Sequence, residues 1–418
     1  MTSLRSINQE DLRNHNLSVI IDSILRAPTP LSRADLAKVT GLTKATMSLL
    51  GGMLLAQGVV RETEPDASQI TYGRPSKPLA IAPGRWAGIG LQVNTDGYGC
   101  MALDLSGRPV NTVWVDDDMR QADPDDIFAK LDCLSRPIES GLAEDGYRMV
   151  GAGLALPGLV ADGKLLLMAR NLGWERLDLG RFRLVRRLDP VVGNEAKMAA
   201  LAQIPGYATP RPAPKASNEG ASKPLTPTDS FIYISTDIGI GGAVVRGGAV
   251  EPGDHGFAGE LGHVSVDLNG PTCRCGRRGC LETYAGRRAL VEAAGIAGGD
   301  DAVSPKAATE LYRRWQEGDA EAADAIDRAL DALVSVMASA INYSDVDTVI
   351  LGGFWSKFGG VLAQSLQDRL ASQVLARDRI KPRVMMSKEA RQPALKGAAE
   401  MGLRRFIGDP LSYFDQQA

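Results

Sequence analysis

Residues 258–282 of the chain are AGELGHVSVDLNGPTCRCGRRGCLE. Nine residues separate His263 from Cys273, one residue separates Cys273 from Cys275, and four separate Cys275 from Cys280. One imidazole and three thiolates form a closed tetrahedral ligand set for structural Zn²⁺. The alternative is a loop of reduced cysteines without metal, but three arginines stand among these cysteines, whereas unliganded cysteines usually pack in apolar surroundings. The spacing therefore predicts one structural zinc ion.

The rest of the composition is that of an ordinary globular protein. The 418 residues are 44% hydrophobic and 23% charged, with a net charge of −3, and this length predicts two or three domains. Cys100 and Cys133 are isolated, so a disulfide framework is excluded and both are expected to be packing residues. The first residues contain no apolar signal-peptide core, and no apolar run approaches the ~20 residues of a membrane span. These features predict a cytoplasmic protein.

Alternating strand and helix patterns extend on both sides of the cysteine-rich loop. Apolar strands are predicted at residues 88–91, 101–105, 149–154, 231–234, 242–245 and 348–353. The two groups of strands predict two α/β lobes. Between them, residues 204–229 are rich in Pro, Ala, Ser, Lys and Thr, which predicts a mobile surface insertion.

The first 82 residues follow a different pattern, of three helices and a hairpin. Leu17, Ile20, Ile21 and Ile24 have the spacing of an amphipathic helix over residues 16–26. Ser32 and Thr43 are N-cap residues for two further helices, with Leu36, Ala37 and Val39 inward on the first and Met47, Leu50 and Leu54 inward on the second. Strands are predicted at residues 59–62 and 78–81. This order is a winged helix-turn-helix, which places its last helix in the major groove of DNA.

The predicted DNA contacts are small or basic side chains on this head. They are Arg33, Thr43, Lys44, Thr46 and Ser48 near the recognition helix, and Arg74 in the wing, where a flat cation between Gly73 and Pro75 suits a minor groove. The head holds nine Lys/Arg against seven Asp/Glu, the sign that DNA binding requires. The alternative is a helical packing module that binds no nucleic acid. Leu49 at a DNA-facing position and Gly51-Gly52 inside the helix count against the DNA interpretation.

The motifs together resemble the ROK family of repressors, open reading frames and kinases. The segments that carry the resemblance are Ala258–His263 through Cys280–Glu282, the head at residues 32–46, and Gly73-Arg-Pro75, so it extends from about residue 14 to 405 without the insertion. The resemblance implies an actin-like (ribonuclease H-like) two-lobed sugar-kinase fold with a sugar in the cleft. It predicts a winged helix-turn-helix domain at 1–82 and a body at 83–418. The body divides into lobe one at about 83–203, the insertion at 204–229, and lobe two from about 230, with the C-terminal helix returning to lobe one.

The resemblance also implies a set of sugar-binding positions. They are Asn171, Asn194, Glu195, Glu260, His263 and Glu282. Carboxylates and amides at these positions suit vicinal hydroxyls, because they accept or donate hydrogen bonds in fixed directions. The alternative is that these polar side chains only cap loops.

The positions that would handle ATP depart from the family's kinase pattern. Glu195 stands where kinases of the family carry an Asp general base, and Lys197 replaces a usual Asn. The first phosphate loop falls on residues 92–96, Gln-Val-Asn-Thr-Asp, and has lost both glycines; the second reads Ser-Thr-Asp at 235–237 in place of Gly-Thr-Gly. Several losses at separate ATP-handling sites argue against phosphoryl transfer.

The leading hypothesis is therefore a sugar-responsive transcription regulator, a repressor of carbohydrate uptake or catabolism genes without kinase activity. Its expected partners are operator DNA, a monosaccharide or sugar derivative, and a second copy of the chain in a homodimer or a dimer of dimers. The alternatives are an active sugar kinase carrying a DNA-binding head, and a module whose head binds another protein.

Overall fold

The computed structural model describes residues 8–64, 77–207, 224–388 and 392–414. Within these ranges no single helix is long and apolar enough to cross a membrane. Helices Arg33–Thr40 and Lys44–Ala56 pass that test of length and composition only as a pair, and they meet at a bend of 115°.

The head consists of three helices and a two-stranded antiparallel hairpin. These are α1 (Gln9–Arg26), α2 (Arg33–Thr40), α3 (Lys44–Ala56), β1 (Val60–Glu62) and β2 (Leu79–Ile81). The helix predicted from residue 16 begins at Gln9, because Asn8 and Asp11 form a reciprocal capping box that starts α1 earlier. The four apolar residues predicted to face inward from α1 are buried.

Local hydrogen bonds set the limits of α2 and α3. The Ser32 hydroxyl accepts from the Asp35 amide at 3.1 Å, and the Thr43 hydroxyl accepts from the Thr46 amide at 3.1 Å. Gly41 follows α2 in the left-handed region at φ 74°, which a side chain would disfavour. The prediction that Val39 faces inward is wrong, since it is 66% exposed. The short helix is covered only on the side of Leu36.

The body contains two five-stranded sheets with the same strand order and one small sheet. The first sheet is ordered β10-β6-β3-β4-β5, from β3 (Trp86–Asn94), β4 (Gly97–Asp104), β5 (Pro109–Asp116), β6 (Arg148–Leu156) and β10 (Val191–Asn194). The second is ordered β13-β12-β11-β14-β15, from β11 (Phe231–Thr236), β12 (Ile240–Arg246), β13 (Ala249–Val250), β14 (Thr348–Gly353) and β15 (Arg383–Met386). The small sheet is β7 (Leu159–Ala161), β8 (Leu165–Ala169) and β9 (Trp174–Asp178). This repeat is the actin-like, two-lobed fold that the resemblance implied.

Helices cover both sheets. In chain order they are α4 (Pro124–Glu144), α5 (Arg183–Leu188), α6 (Glu195–Leu201), α7 (Glu282–Ala285), α8 (Arg287–Ala293), α9 (Pro305–Gln316), α10 (Ala320–Ser344), α11 (Gly359–Ala371) and α12 (Pro393–Gly408). The last helix, α12, packs on β3 and β6 of the first sheet. A Cβ at Gly90 would lie 2.2 Å from the Leu395 carbonyl oxygen, and one at Gly153 would lie 2.2 Å from that of Ala398. Only glycine permits this approach of helix and sheet.

The head rests on the C-terminal end of the body. Trp86 stacks on Phe406 of α12 with ring centroids 4.7 Å apart, and its indole N–H donates to the Gln57 carbonyl at 3.2 Å. The Asn14 side chain of α1 donates to Asp409 at 2.7 Å and accepts from the Leu411 amide at 3.0 Å. Apolar residues of head and body belong to one continuous buried cluster, so α12 packs directly against the head.

The predicted insertion at 204–229 is only partly visible. Residues 208–223 lie outside the described residues, so its predicted mobility there stays a prediction. Ile204 and Tyr207, which precede this gap, are 1% and 5% exposed and are not part of a surface loop. The Tyr207 hydroxyl donates to Asp22 of α1, which ties this flank to the head.

Candidate functional site

The six residues predicted to contact a sugar border one cavity. This cavity, here called the cleft, has a volume of about 300 Å³ and is lined by residues of both lobes. The predicted residues among them are Asn171, Asn194, Glu195, Glu260, His263 and Glu282. The fold thus brings together residues that lie up to 111 positions apart in the chain. They form a concave site with convergent polar groups.

Asn171 and Glu282 approach each other beside Gly239. A Cβ on Gly239 would lie 2.5 Å from Glu282 Oε2 and 3.4 Å from Asn171 Nδ2. The Ile240 amide donates to the same Glu282 oxygen at 3.3 Å. One carboxylate oxygen is therefore held by the backbone, while the carboxylate retains further acceptor positions for hydroxyl groups.

Asn194 and Glu195 stand where β10 turns into α6. The Asn194 side-chain oxygen accepts from the Ala196 amide at 2.8 Å as the N-cap of α6, and its amide nitrogen donates to the Gly158 carbonyl at 2.9 Å. Burial raises the pKa of Glu195 to about 8, and the neighbouring carboxylates of Asp237 and Asp96 add to this rise. Glu195 thus keeps its proton to a higher pH than an ordinary Glu, and in the protonated form it can donate a hydrogen bond.

Glu260 and His263 lie on the same short turn, residues 261–263 being a single 3₁₀ turn. Burial raises the pKa of Glu260, and the neighbouring Glu282 adds to the rise, whereas His263 and Lys197 oppose it. The Nδ1 atom of His263 lies 3.7 Å from Cys273 Sγ. A histidine that binds a metal through Nδ1 keeps its Nε2 N–H for another partner, so His263 can serve the cysteine cluster and the cleft together.

His263, Cys273, Cys275 and Cys280 form a cluster that could hold a metal ion. Their ligand atoms all lie within 4.8 Å of one another, and Cys275 Sγ lies 3.6 Å from Cys280 Sγ. Ligands bound at ~2.0–2.3 Å in tetrahedral geometry lie about 3.3–3.8 Å apart. The Cys275–Cys280 and His263–Cys273 separations, 3.6 and 3.7 Å, lie in this range. Burial, together with the neighbouring thiols Cys275 and Cys273, raises the pKa of the Cys280 thiol to about 12. A bound cation would supply the charge that stabilises its thiolate.

The opposite side of the cleft, which contains residues of the two predicted phosphate loops, is occupied by an ionic network. Arg287 donates two hydrogen bonds to Asp96, at 3.2 and 2.9 Å, and lies 3.6 Å from Asp237. Burial raises the pKa of Asp237 to about 6; Asp96 adds to the rise, and Arg287 and Lys357 oppose it. A cavity of about 480 Å³ remains here, but three carboxylates, Asp96, Asp237 and Glu195, face it.

Arg287 is the residue of this network that the sequence did not single out. It is 6% exposed at the start of α8 and lies 191 residues from Asp96 in the chain. The sequence offers one signal for it, its position five residues after Glu282. The motif that ends at Glu282 leads directly into α8, which begins at Arg287. Nothing in the spacing pairs it with Asp96.

The predicted DNA contacts of the head divide into three groups. Thr43, Lys44 and Ser48 are exposed at the N-terminal end of α3, and Thr46 beside them is half-buried. Arg33 instead donates to Glu62 of β1 at 2.9 Å, so in this structure it joins α2 to the wing. Arg74 lies outside the described residues. Leu49 is 62% exposed on the outer face of α3, next to the polar group.

Comparison with known proteins identifies the body. Residues 216–405 match the ROK family. The chain therefore contains a ROK family domain. Over 291 residues, 68% of this chain and 69% of the relative, it is 29% identical to the xylose repressor of Bacillus subtilis (strain 168). Over 219 residues, half of this chain and 66% of the relative, it is 33% identical to an N-acetylmannosamine kinase of Escherichia fergusonii. Relatives of this chain thus include a named repressor and a named kinase.

A solved ROK structure matches the chain along nearly its whole length. It is a ROK family transcriptional regulator described as a homologue of the E. coli Mlc protein, and it is 23% identical with a TM-score of 0.74. The match covers 96% of this chain and 98% of that one. It confirms the predicted fold, a two-lobed ROK body joined to an N-terminal head.

Proposed function

We propose that the protein is a sugar-responsive, DNA-binding transcription regulator that represses genes of carbohydrate uptake or catabolism. The observation that carries the proposal is one chain that joins a helix-turn-helix head to a cleft with polar groups on one side and an ionic network on the other. The likeness to a xylose repressor supports it. The effector is a monosaccharide or a sugar derivative, and a two-fold symmetric operator calls for a homodimer or a dimer of dimers.

The metal of this proposal is Zn²⁺, held by His263, Cys273, Cys275 and Cys280. Three thiolates and one imidazole are a donor set that favours zinc over harder cations, and four protein ligands leave no open position for catalysis. The ion would hold the loop that carries Glu260 and Glu282 in the shape that the cleft needs.

A continuous route of contacts supports coupling between the cleft and the head. Helix α6 starts at the cleft with its Asn194 cap and packs so closely on α12 that a Cβ on Gly397 would lie 1.7 Å from the Met198 carbonyl oxygen. Thirteen residues after Asn194, Tyr207 contacts Asp22 of α1, and the Arg404 guanidinium lies 4.5 Å from the Tyr207 ring. Lobe closure on a sugar would shift α6 and so change the population of DNA-competent heads.

An active sugar kinase is the second candidate, because a carboxyl group, Glu195, stands at the catalytic position and a cavity remains beside it. Against it, each phosphate position is bordered by a carboxylate, and Arg287 is committed to Asp96. Sugar-dependent ATP turnover of the order of 1 per second, a normal enzymatic rate, would favour the kinase.

The test of the regulator is a DNA titration with the purified full-length protein. Fluorescence anisotropy with labelled fragments from upstream of sugar transport and catabolic genes should show specific binding that weakens steeply with salt. Addition of the effector sugar found by a thermal-shift screen should change the DNA affinity. Specific DNA binding that no sugar alters would remove the sensor role, and absence of binding to any fragment would favour a head that binds protein.

A further inference from the structure

A second cavity adjoins the cleft on the side away from the ionic network. It has a volume of about 330 Å³ and is here called the side chamber. Four residues, Gly158, Leu159, Asn194 and Glu260, border both the cleft and the side chamber, so the two cavities meet along these residues. The hydrogen bond from Asn194 to the Gly158 carbonyl joins two of them.

The walls of the side chamber are mainly apolar and come from both lobes. The apolar residues are Leu159, Val160, Val191, Val192, Met198, Leu201, Val250, Phe257 and Met401. The polar side chains that also border it are Asp162, Asn194, Lys197, His255 and Glu260. The surface formed by the nine apolar side chains offers no partner to the hydroxyl groups of a sugar, and burial of an unpaired hydroxyl is unfavourable. The cleft and the side chamber therefore suit groups of different chemistry.

Lys197 is the strongest hydrogen-bond donor of the side chamber. Its ammonium group donates to the carbonyls of Pro252 at 3.2 Å and Gly256 at 2.5 Å, which joins α6 to a loop of lobe two. Burial lowers the pKa of Lys197, and the Glu260 carboxylate opposes this. Two of its three N–H groups are used by these carbonyls, which leaves one donor for an acceptor atom of a ligand.

The sizes of the two cavities bear on the size of the ligand. Each is about as large as the smallest ligand pockets of proteins, and a lone monosaccharide would occupy only the cleft. A group that packs on the nine apolar side chains should itself be apolar, and an acceptor atom where it joins the sugar suits the Lys197 ammonium group.

We propose that the effector is a glycoside, with its sugar ring in the cleft and an apolar aglycone in the side chamber. This inference rests on the proposed function, since it assumes that the cleft binds sugar. It adds the chemical class of the ligand, which neither the motifs nor the relatives specify.

The experiment compares methyl and phenyl glycosides by isothermal titration calorimetry on the metal-loaded full-length protein. The probes are free D-xylose, D-glucose, D-mannose and N-acetyl-D-glucosamine, and the methyl and phenyl glycosides of each in both anomers. For the sugar that binds, one phenyl anomer should bind at least about tenfold more tightly than its methyl counterpart, because the ring transfers apolar surface from water to the chamber.

Two variants fill the side chamber from opposite walls. Val160→Trp on β7 and Val250→Trp on β13 both change half-buried residues, and either should abolish the advantage of the phenyl glycoside while leaving the affinity for the methyl glycoside unchanged. Val113→Trp, on the exposed edge strand β5 and outside the chamber, is the matched control and should keep the advantage.

The outcomes separate the two proposals. If neither free sugars nor glycosides bind, the sugar-sensor function fails and the chamber proposal with it. If sugars and methyl glycosides bind but phenyl glycosides bind no better, the chamber proposal is overturned and the sensor function stands. A phenyl advantage that survives both filling variants would also overturn it, because the aglycone would then lie elsewhere.

Discussion

The two sides of the cleft are both lined by carboxylates and amides. They differ in whether the carboxylates are already paired with cations of the protein. On the sugar side, Glu260 and Glu282 lie on a loop that the cysteine cluster can pin, and no salt-bridge partner within the described residues engages either one at 4 Å or less. On the phosphate side, Asp96 is bound by two hydrogen bonds from Arg287. The contrast teaches that a polar lining indicates a binding site only where its charges have not already been paired within the protein.

The largest expected effect comes from Cys275→Ser. This change removes one thiol of the cysteine cluster that holds the loop on the sugar side. The variant should lose its zinc, expected at about one ion per chain in the wild type, together with sugar binding, because one loop carries the metal ligands and the sugar contacts. Metal analysis and calorimetry on the same preparation measure both. Cys133→Ser, at an exposed and isolated cysteine, is the control. A metal-free Cys275→Ser protein with native sugar affinity would show that the metal is not needed to hold the sugar side in its binding shape.

Glu282→Gln tests the sugar side at a single side chain. The change keeps the size of the side chain but replaces an acceptor oxygen with a donor, which should cost about 1.5–3 kcal/mol, or roughly 10- to 150-fold in sugar affinity. DNA affinity without sugar should stay unchanged, since Glu282 lies far from the head.

The same variant tests the coupling. The sugar concentration that changes DNA occupancy should rise by the same factor as the sugar Kd, because linkage requires the two to move together. Exposed Glu144→Gln serves as the control. A DNA response at the original sugar concentration, despite lost sugar binding, would show that the cleft is not the sensor.

Glu195→Gln tests the phosphate side through pH. The Glu195 carboxyl, with a folded-state pKa of about 8 against 4.5 for the ordinary group, holds a proton that the unfolded chain releases. Its contribution to stability therefore falls as pH rises from about 4.5 to about 8. The groups that face it are Asp237, Asp96 and Gln92, with Arg287 paired to Asp96.

The variant should gain stability relative to the wild type across this window, by about 1–3 kcal/mol at pH 9 after allowance for solvent screening. Chemical unfolding at pH 5, 7 and 9 measures the difference, with Glu144→Gln again as the control. If the free energy of unfolding changes with pH in the same way for Glu195→Gln and the wild type, the pKa of this carboxyl is not raised in the folded protein.

The smallest effect is expected at the contact between Tyr207 and Asp22, through which we propose that changes in the cleft reach the head. Tyr207→Phe removes the hydroxyl that contacts Asp22 but keeps the ring beside Arg404, a loss of about 0.5–1.5 kcal/mol. Sugar affinity should stay unchanged, while the sugar-induced change in DNA affinity should shrink about 2- to 12-fold. Anisotropy titrations with and without sugar measure it. Tyr343→Phe, at a tyrosine that is 95% exposed, is the control, and an undiminished response in Tyr207→Phe would exclude this route.

Spacing within the sequence was enough to predict the features that depend on neighbours a few residues apart. The caps at Ser32 and Thr43 and the buried side of α1 follow from spacings of three or four residues, which a helix brings together wherever it lies. The cysteine cluster follows in the same way, because eight residues contain all three thiols. The six candidate sugar contacts were found through motifs of this local kind.

The packing of elements that are distant in the chain determines which of these groups are paired and which remain available to a ligand. Arg287 meets Asp96 across 191 residues, Tyr207 meets Asp22 across 185, and Arg33 meets Glu62 across 29. The exposure of Val39 and the side chamber beside Asn194 likewise depend on how separate elements pack. A spacing pattern carries no information about such contacts, because the free energy that selects them comes from the burial of surfaces distant in the chain.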